Sequence, residues 1–228
     1  MRHGTLAGFV TGALLSLLLV AGPGTARAQA PAQPGQFDYY LLSLSWSPEY
    51  CASPGGARSP DQCTSSRRYG FVLHGLWPQH AAGGYPAACA TAGADRVSRP
   101  LIDRMLPIMP APALIRHEWD KHGTCTGLSV DAYFDQATRA YRSIQIPEAY
   151  RQPSADLPVA IDQLKAAFLT ANPGLNDKDL TVVCKRQYLE EVRVCLSRTL
   201  NPQSCGPDVR DQCRGQNVVL RAVRSAQP

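Results

Sequence analysis

The chain has 228 residues, of which 44% are hydrophobic, 18% are charged and 7% are aromatic. This length and composition allow one globular domain with a substantial core, and they exclude a collagen-like or intrinsically disordered chain. The formal net charge is +5, and so small a basic excess does not by itself indicate a nucleic-acid-binding protein.

The first 28 residues have the pattern of a cleaved signal peptide. Arg2 and His3 precede an apolar run over residues 6–21, and two A-x-A cleavage sites end at Ala28 and Ala30. Glycine, serine and threonine interrupt the run, so it falls short of the ~20 apolar residues of a membrane anchor. We predict export to the periplasm or the extracellular space without a membrane anchor.

Removal of residues 1–28 would leave 21 basic and 18 acidic residues, a net charge of +3. We expect residues 29–36 to form a flexible leader and residues 37–228 to form a single mature domain without internal repeats.

All eight cysteines lie in the predicted mature part. An even number of cysteines in an exported chain predicts disulfides, and the absence of any C-x2-C pair argues against structural zinc. Spacing alone leaves the pairing open. The cysteines are Cys51, Cys63, Cys89, Cys125, Cys184, Cys195, Cys205 and Cys213.

Hydrophobic periodicity predicts strands at both ends of the mature chain and helices between them. The predicted strands are 37–46, 69–74 (stopping at Gly75 and Pro78), 181–184, 187–196 and 217–223, with a loop over 47–66. The predicted helices are 101–106, 113–122, 129–144 and 156–171. This order is typical of an α+β fold, with an antiparallel sheet flanked by several helices and stabilised by disulfides.

The segment HEWDKHGTC concentrates ionisable side chains within one and a half helical turns. At about 100° per residue, His117, Glu118, Lys121 and His122 share one side of a helix, whereas Trp119 points toward the core. A salt-bridged surface helix is the first alternative to a functional site. Zinc ligation is the second, but the two histidines are separated by about 140° and lack the i,i+4 spacing of ligands to one metal.

The segment FVLHGLWPQ places His74 at the end of a predicted strand, just before a glycine. An isolated histidine there is a hydrogen-bonded core residue in most proteins. Together with the imidazoles of the other segment, however, it would provide one group that accepts a proton and one that delivers a proton near neutral pH.

These two segments resemble the two active-site segments of the ribonuclease T2 family, secreted or vesicular base-nonspecific endoribonucleases with an α+β fold. Their order and separation of about 40 residues are similar to the family's, as is the opening FDYYLLSLSWSPEYC. The resemblance covers residues 37–196.

The resemblance implies a role for each ionisable residue. His122 would be the general base that takes the proton of the ribose 2'-OH, and His74 would be the general acid that protonates the leaving 5'-oxygen. Glu118 and Lys121 would stabilise the pentacoordinate phosphorane, and His117 would bind the phosphate.

The resemblance also implies how bases and cysteines are arranged. Trp77 and Tyr85 would stack on bases, although ordinary packing is the alternative for Tyr85. Gln79 occupies a position where some members have an aspartate that reads a purine edge, so we expect no strong purine preference. The implied disulfides are Cys51–Cys63, Cys89–Cys125, Cys184–Cys213 and Cys195–Cys205.

RNA carries its own nucleophile, so this chemistry calls for no metal and no cofactor. DNA lacks the 2'-OH and should bind without being cut. We therefore expect a monomeric endoribonuclease that forms 2',3'-cyclic phosphates and hydrolyses them more slowly to 3'-phosphates. The alternatives are a catalytically silent RNA-binding module on the same scaffold and a zinc metallohydrolase.

Overall fold

The structure is a computed structural model that describes residues 33–64, 66–90 and 96–224, together with Met1 and Gly4. The predicted signal peptide lies outside the described residues. Within them the chain has the predicted α+β fold. The elements are β1 (Tyr39–Trp46), α1 (Ser47–Cys51), α2 (Pro60–Cys63), β2 (Phe71–Gln79), α3 (Arg99–Met105), α4 (Pro112–Lys121), α5 (Val130–Ser143), β3 (Leu157–Ala160), α6 (Ile161–Ala171), β4 (Leu180–Lys185), β5 (Tyr188–Ser197) and β6 (Asn217–Leu220).

The described strands form one sheet in the order β2-β1-β5-β6-β3, with β4 also paired to β5. All pairs are antiparallel except a single parallel contact between Tyr188 and Val219. Strand β1 is central to the site because it lies between β2 and β5. Its alternate residues Leu42, Leu44 and Trp46 are fully buried in the main core against the helices.

The opposite face of the sheet is much more polar. Tyr39 and Leu41 of β1 form a small second cluster with Cys195, and the next residues on that face are Ser43 and Ser45. We call this face the site face, because it carries the ionisable groups of the sheet, whereas the opposite face packs into the core.

The prediction that the second strand stops at Gly75 and Pro78 is wrong, since β2 continues to Gln79. Ser43 of β1 pairs with Gly75 and Leu44 pairs with Leu73, so His74 is the extra residue of a β-bulge. Pro78 is tolerated because β2 is an edge strand, where a missing N–H need not remove a ladder hydrogen bond.

Two other predicted boundaries differ from the structure. The predicted helix 156–171 begins only at Ile161, because residues 157–160 pair with β6 as a strand. The predicted loop 47–66 contains the short helices α1 and α2. In the predicted flexible leader, residues 33–36 include a turn in which Gly35 N–H donates to the carbonyl of Cys125.

The structure contains four disulfides, at the four pairs that the resemblance implies. The Cys89–Cys125 bond closes the longest loop, with a sequence separation of 36 residues, and it joins the segment after α4 to the loop that follows β2. Among the described residues, no helix is both long enough and apolar enough to span a bilayer.

We expect replacement of both Cys89 and Cys125 by serine to lower the free energy of unfolding by about 4 kcal/mol, because the unfolded chain regains the entropy of a long loop. Urea unfolding of the oxidised protein measures this value. The matched pair Cys51→Ser and Cys63→Ser opens a loop with a separation of 12 residues and should cost about 3 kcal/mol. A cost below about 0.5 kcal/mol for the longer loop would contradict this account.

Candidate active site

A cleft of about 430 Å³ opens on the site face. All eight predicted site residues line it, and Arg193, Asp208 and Gln212 complete much of the wall. The eight are His74, Trp77, Gln79, Tyr85, His117, Glu118, Lys121 and His122. The structure therefore brings together the two segments that are far apart in sequence.

Local structure explains how each segment reaches the cleft. The bulge at His74 interrupts the pairing of β2 with β1, and bulges of this kind re-aim a side chain next to active sites. Helix α4 is anchored from its other side by Trp119, which is 3% exposed in the core. His122 follows as the C-cap residue of α4, so its ring comes from the end of the helix.

The carboxyl group of Glu118 is almost completely buried, at 1% exposure. Trp77 Nε1 donates a hydrogen bond of 2.7 Å to its Oε2, and its Oε1 lies 3.8 Å from His74 Nε2. Burial raises the pKa of Glu118 to about 7, although His74, the Trp77 hydrogen bond and Lys121 act in the opposite direction. Near neutral pH this carboxyl group can therefore carry a proton.

His74 lies between two carboxyl groups. Its Nδ1 is 2.5 Å from Oε1 of Glu191 on β5, and its Nε2 is directed toward Glu118. Burial by itself lowers the pKa of the imidazole, but the hydrogen bond and negative charge of Glu191, with that of Glu118, outweigh burial and raise it. The environment favours the protonated imidazolium.

His122 has the opposite environment. Its side chain is buried, and its ring stacks on Trp77 at a centroid distance of 5.2 Å. Burial, followed by the positive charges of Lys121, His117 and His74, lowers its pKa to about 3. Its Nδ1 is buried and has no hydrogen-bond partner among the described residues. An imidazolium donates from both nitrogens, so these surroundings favour the neutral ring.

The remaining predicted residues differ in accessibility. His117 is exposed at the cleft and Lys121 is half-buried, with Nζ 5.9 Å from the Tyr85 ring centroid. Tyr85 is 50% exposed, so it is not packed into the core. Gln79 is buried at 4% exposure, and its amide donates to the carbonyl of Pro78.

The ring of Trp77 is held by protein contacts rather than left open. Besides its stack on His122 and its hydrogen bond to Glu118, it lies edge-on to His74 at 5.0 Å and has the Arg193 guanidinium 5.3 Å from its centroid. It therefore links the two imidazoles, and Tyr85 is the more accessible aromatic surface of the cleft.

Comparison with known proteins identifies the family. The family model described as "Ribonuclease T2 family" matches residues 37–205. A ribonuclease of Aeromonas hydrophila is 35% identical over 92% of this chain and 97% of its own length. The chain belongs to the ribonuclease T2 family. It is accordingly an endoribonuclease of the T2 type.

Other relatives of this T2-family chain agree in sequence and fold. Ribonuclease I of Escherichia coli is 26% identical over 81% of this chain and 84% of its own length. The solved structure of an RNase-related protein from Calystegia sepium has a TM-score of 0.67 and 25% identity, and it covers 82% of this chain and 98% of its own.

Sequence reasoning missed Glu191 and Arg193 of this T2-family chain. Both alternate along β5 with the core residues Val192 and Val194. Charged residues that alternate with core residues are typical of the solvent-exposed face of a strand. Only the strand order, which places β5 two strands from His74, shows that they belong to the site. Asp208 was missed as well. Its Oδ2 accepts a 2.7 Å hydrogen bond from Gly84 N–H and fixes the loop that carries Tyr85.

We expect Gly75→Ala to impair this ribonuclease, because a Cβ at residue 75 would overlap the Glu118 carboxyl group and Trp77 Nε1, which form a hydrogen bond there. A displacement of about 1 Å in such a site can cost on the order of 100-fold in activity, so we expect a loss of that size in kcat/KM on RNA.

The control is Gly174→Ala, whose Cβ would lie 3.7 Å from the nearest side chain, that of Pro202. This variant should stay within about two-fold of the wild type. Full activity of Gly75→Ala would contradict the close packing around Glu118.

Proposed function

We propose that this endoribonuclease cleaves single-stranded RNA without a metal ion, by attack of the ribose 2'-OH on the adjacent phosphate. The products would be 2',3'-cyclic phosphates, which water then converts more slowly to 3'-phosphates. The observation that carries this proposal is the presence in one cleft of two imidazoles with opposite surroundings. His74 is hydrogen-bonded to the Glu191 carboxylate and His122 is stacked on Trp77, and these surroundings shift the two pKa values in opposite directions. Such a pair is what acid–base catalysis of a two-proton reaction needs.

His122 is the general base in this proposal. A base must be unprotonated before the reaction, and the lowered pKa of His122 keeps it neutral over the whole physiological range. It takes the proton from the 2'-OH while the 2'-oxygen forms its bond to phosphorus. RNA supplies the nucleophile, so the protein needs to supply only positioning and proton transfer.

His74 is the general acid. The raised pKa favours the protonated ring, and its Nε2 faces the cleft because Nδ1 is bound by Glu191. The Nε2 proton passes to the 5'-oxygen as the bond from phosphorus to that oxygen breaks. For hydrolysis of the cyclic phosphate the two imidazoles exchange roles, with His74 activating water.

Glu118, Lys121 and His117 act on the phosphate itself. The Lys121 ammonium lines the cleft and would stabilise the negative charge that develops on the phosphorane, since such fixed charges are most effective in a partly dry site. A protonated Glu118 would donate a hydrogen bond to a non-bridging oxygen, which its raised pKa allows near neutrality. His117, exposed at the cleft, would bind the phosphate from the solvent side.

Base selection is weak in this proposal. All four bases can stack on the exposed ring of Tyr85 and on the exposed part of the Trp77 ring, because every base has a π-face. Gln79 already donates to a backbone carbonyl; its amide can both donate and accept, so it does not favour purines strongly.

The disulfides and the signal-peptide pattern both bear on the compartment in which this protein works. All eight cysteines are paired in disulfides, and such bonds persist in oxidising compartments. Together with the signal-peptide pattern of residues 1–28, this supports export to the periplasm or the extracellular space.

A direct test incubates the mature protein, in EDTA, with yeast RNA and in parallel with single-stranded DNA. We expect RNA fragments with cyclic phosphate ends and intact DNA, because DNA has no 2'-OH. His74→Ala and His122→Ala should each abolish cleavage while keeping the circular dichroism spectrum and the RNA affinity. Cleavage retained in both variants would refute the assignment. RNA binding without cleavage would favour the silent module, and EDTA inhibition reversed by zinc would favour the metallohydrolase.

The pKa shifts also predict the pH dependence of kcat/KM on a dinucleotide. Activity requires neutral His122, so the acid limb should lie far below the ordinary histidine value of 6.5, toward the pKa of about 3. It also requires protonated His74, whose pKa is raised, so activity should fall only above pH 6.5. The midpoints of the two limbs are apparent pKa values of the interacting side chains in the cleft. An acid limb at 6.5, or an alkaline limb below it, would contradict these environments.

A further inference from the structure

A carboxylate and a guanidinium on β5 lie behind the imidazole of His74. Glu191 Oε1 is 2.5 Å from His74 Nδ1, and Glu191 Oε2 accepts a hydrogen bond of 2.7 Å from Arg193 Nε and lies 2.6 Å from Arg193 Nη2 in the same ion pair. We propose that Glu191 is a positioning residue: it fixes a proton on Nδ1 of His74 and orients the ring so that the imidazolium presents its second proton, on Nε2, to the leaving oxygen. Arg193 holds Glu191 in turn. This inference rests on the proposed role of His74 as the acid.

Glu191 and His74 can reach each other only because the side chains of β1 between them are small. Glu191 is opposite Ser45 on β1, and Arg193 is opposite Ser43, while His74 is on the far side of β1. Adjacent strands are about 4.8 Å apart, so the Glu191 and His74 side chains must bridge roughly 10 Å over β1. Serines leave that space open, and the bulge at His74 frees its side chain from the regular pleat.

The burial of Glu191 shows that the contact is specific. Its side chain is 6% exposed, and a buried carboxylate is costly unless it is paired and hydrogen-bonded. Burial raises its pKa, but the hydrogen bond and charge of His74 and the Arg193 guanidinium outweigh burial and lower it to about 2. Glu191 is thus ionised wherever the enzyme works, in contrast to Glu118 on the other side of the same imidazole.

An ionised carboxylate only accepts hydrogen bonds, so Nδ1 of His74 must carry the proton in this pair. When the ring acts as the acid, the bond from Nε2 to its proton breaks and a bond from that proton to the 5'-oxygen forms. The ring is left neutral with its proton on Nδ1, still donating to Glu191. For hydrolysis, the unprotonated Nε2 then accepts a proton from water. Without Glu191, the neutral ring could carry its proton on Nε2, where it could not act as a base.

The competing interpretation is that Glu191 only neutralises Arg193, whose guanidinium also lies over Trp77. A purely structural ion pair would affect every substrate equally when it is broken. A positioning role for the acid would affect only substrates whose leaving group needs a proton. The two interpretations can therefore be separated by the choice of leaving group.

The test compares Glu191→Gln with the wild type on uridylyl-3',5'-adenosine and on uridine 3'-(4-nitrophenyl phosphate). The nitrophenolate leaves without a proton, whereas the nucleoside alkoxide needs one. We expect kcat on the dinucleotide to fall about 100-fold, the size of a general-acid contribution, with KM changed less than about 3-fold. The nitrophenyl ester should lose less than about 5-fold, because the base and the phosphate contacts remain.

The same variant should move the alkaline limb of the dinucleotide profile to lower pH. The charged groups that face the ring are Glu118 from α4 and Glu191 and Arg193 from β5, with Lys121, His117 and His122 further along the cleft. Loss of the Glu191 charge leaves Arg193 to disfavour the imidazolium. Glu190→Gln, the same change at the preceding residue of β5, is the matched control and should keep both rates and both limbs.

Equal losses on the two substrates would overturn the proposal in favour of the structural ion pair, and unchanged dinucleotide kinetics would overturn it outright. A wild type that cleaves neither substrate would instead refute the proposed function. Should Glu191→Gln fail to fold, nitrogen NMR of the wild type decides the matter. Above its pKa, the neutral His74 ring should carry its proton on Nδ1, and a proton on Nε2 would refute the proposal.

Discussion

The different character of the two faces of β1 is the constraint on which the rest of the structure depends. One face supplies Leu42, Leu44 and Trp46 to the core, and on the other face Ser43 and Ser45 lie opposite Arg193 and Glu191. The apolar face fixes the register of the sheet, because a slip of one residue would move every core side chain to the wrong side. With the register fixed, the small serines define an open strip that longer side chains from both neighbouring strands can cross.

The two histidines beside that strip, His74 and His122, have opposite electrostatic environments. His74 is bound by an ionised carboxylate, whereas His122 is buried against an indole and surrounded by positive charge. Trp77 contacts both rings and also donates to Glu118. The distinction between the proposed acid and the proposed base is therefore set by partners and burial, since the two side chains are chemically identical before folding.

Much of the site could be predicted from the sequence because two short segments carry most of its chemistry. The helical spacing of residues 117–122 correctly placed four ionisable side chains along one cleft, and the buried Trp119 on the other side. Extension of β2 beyond Gly75 could not be read from hydrophobic alternation, because the bulge shifts the period at His74. The strand over residues 157–160 was missed since its partner, β6, is distant in sequence.

Glu191 and Arg193 could not be assigned to the site from the sequence. On β5 they alternate with valines in the way expected of an ordinary half-exposed strand, and nothing local distinguishes them from surface charges. Their burial arises from the sheet order, which is a long-range property. The disulfide pairing could likewise be predicted only from the family resemblance, since the spacing of eight cysteines does not determine which of them pair.

In the proposed reaction, His122 and His74 act on opposite sides of one phosphate. The most direct measurement is a crystal structure with 2'-deoxyuridylyl-3',5'-adenosine, which binds as RNA does but lacks the nucleophile. We expect a nitrogen of His122 beside the ribose C2' and Nε2 of His74 within hydrogen-bond distance of the 5'-oxygen, with the phosphate between them. A phosphate that contacts only one of the two rings, or that places His74 on the 2' side, would contradict this account.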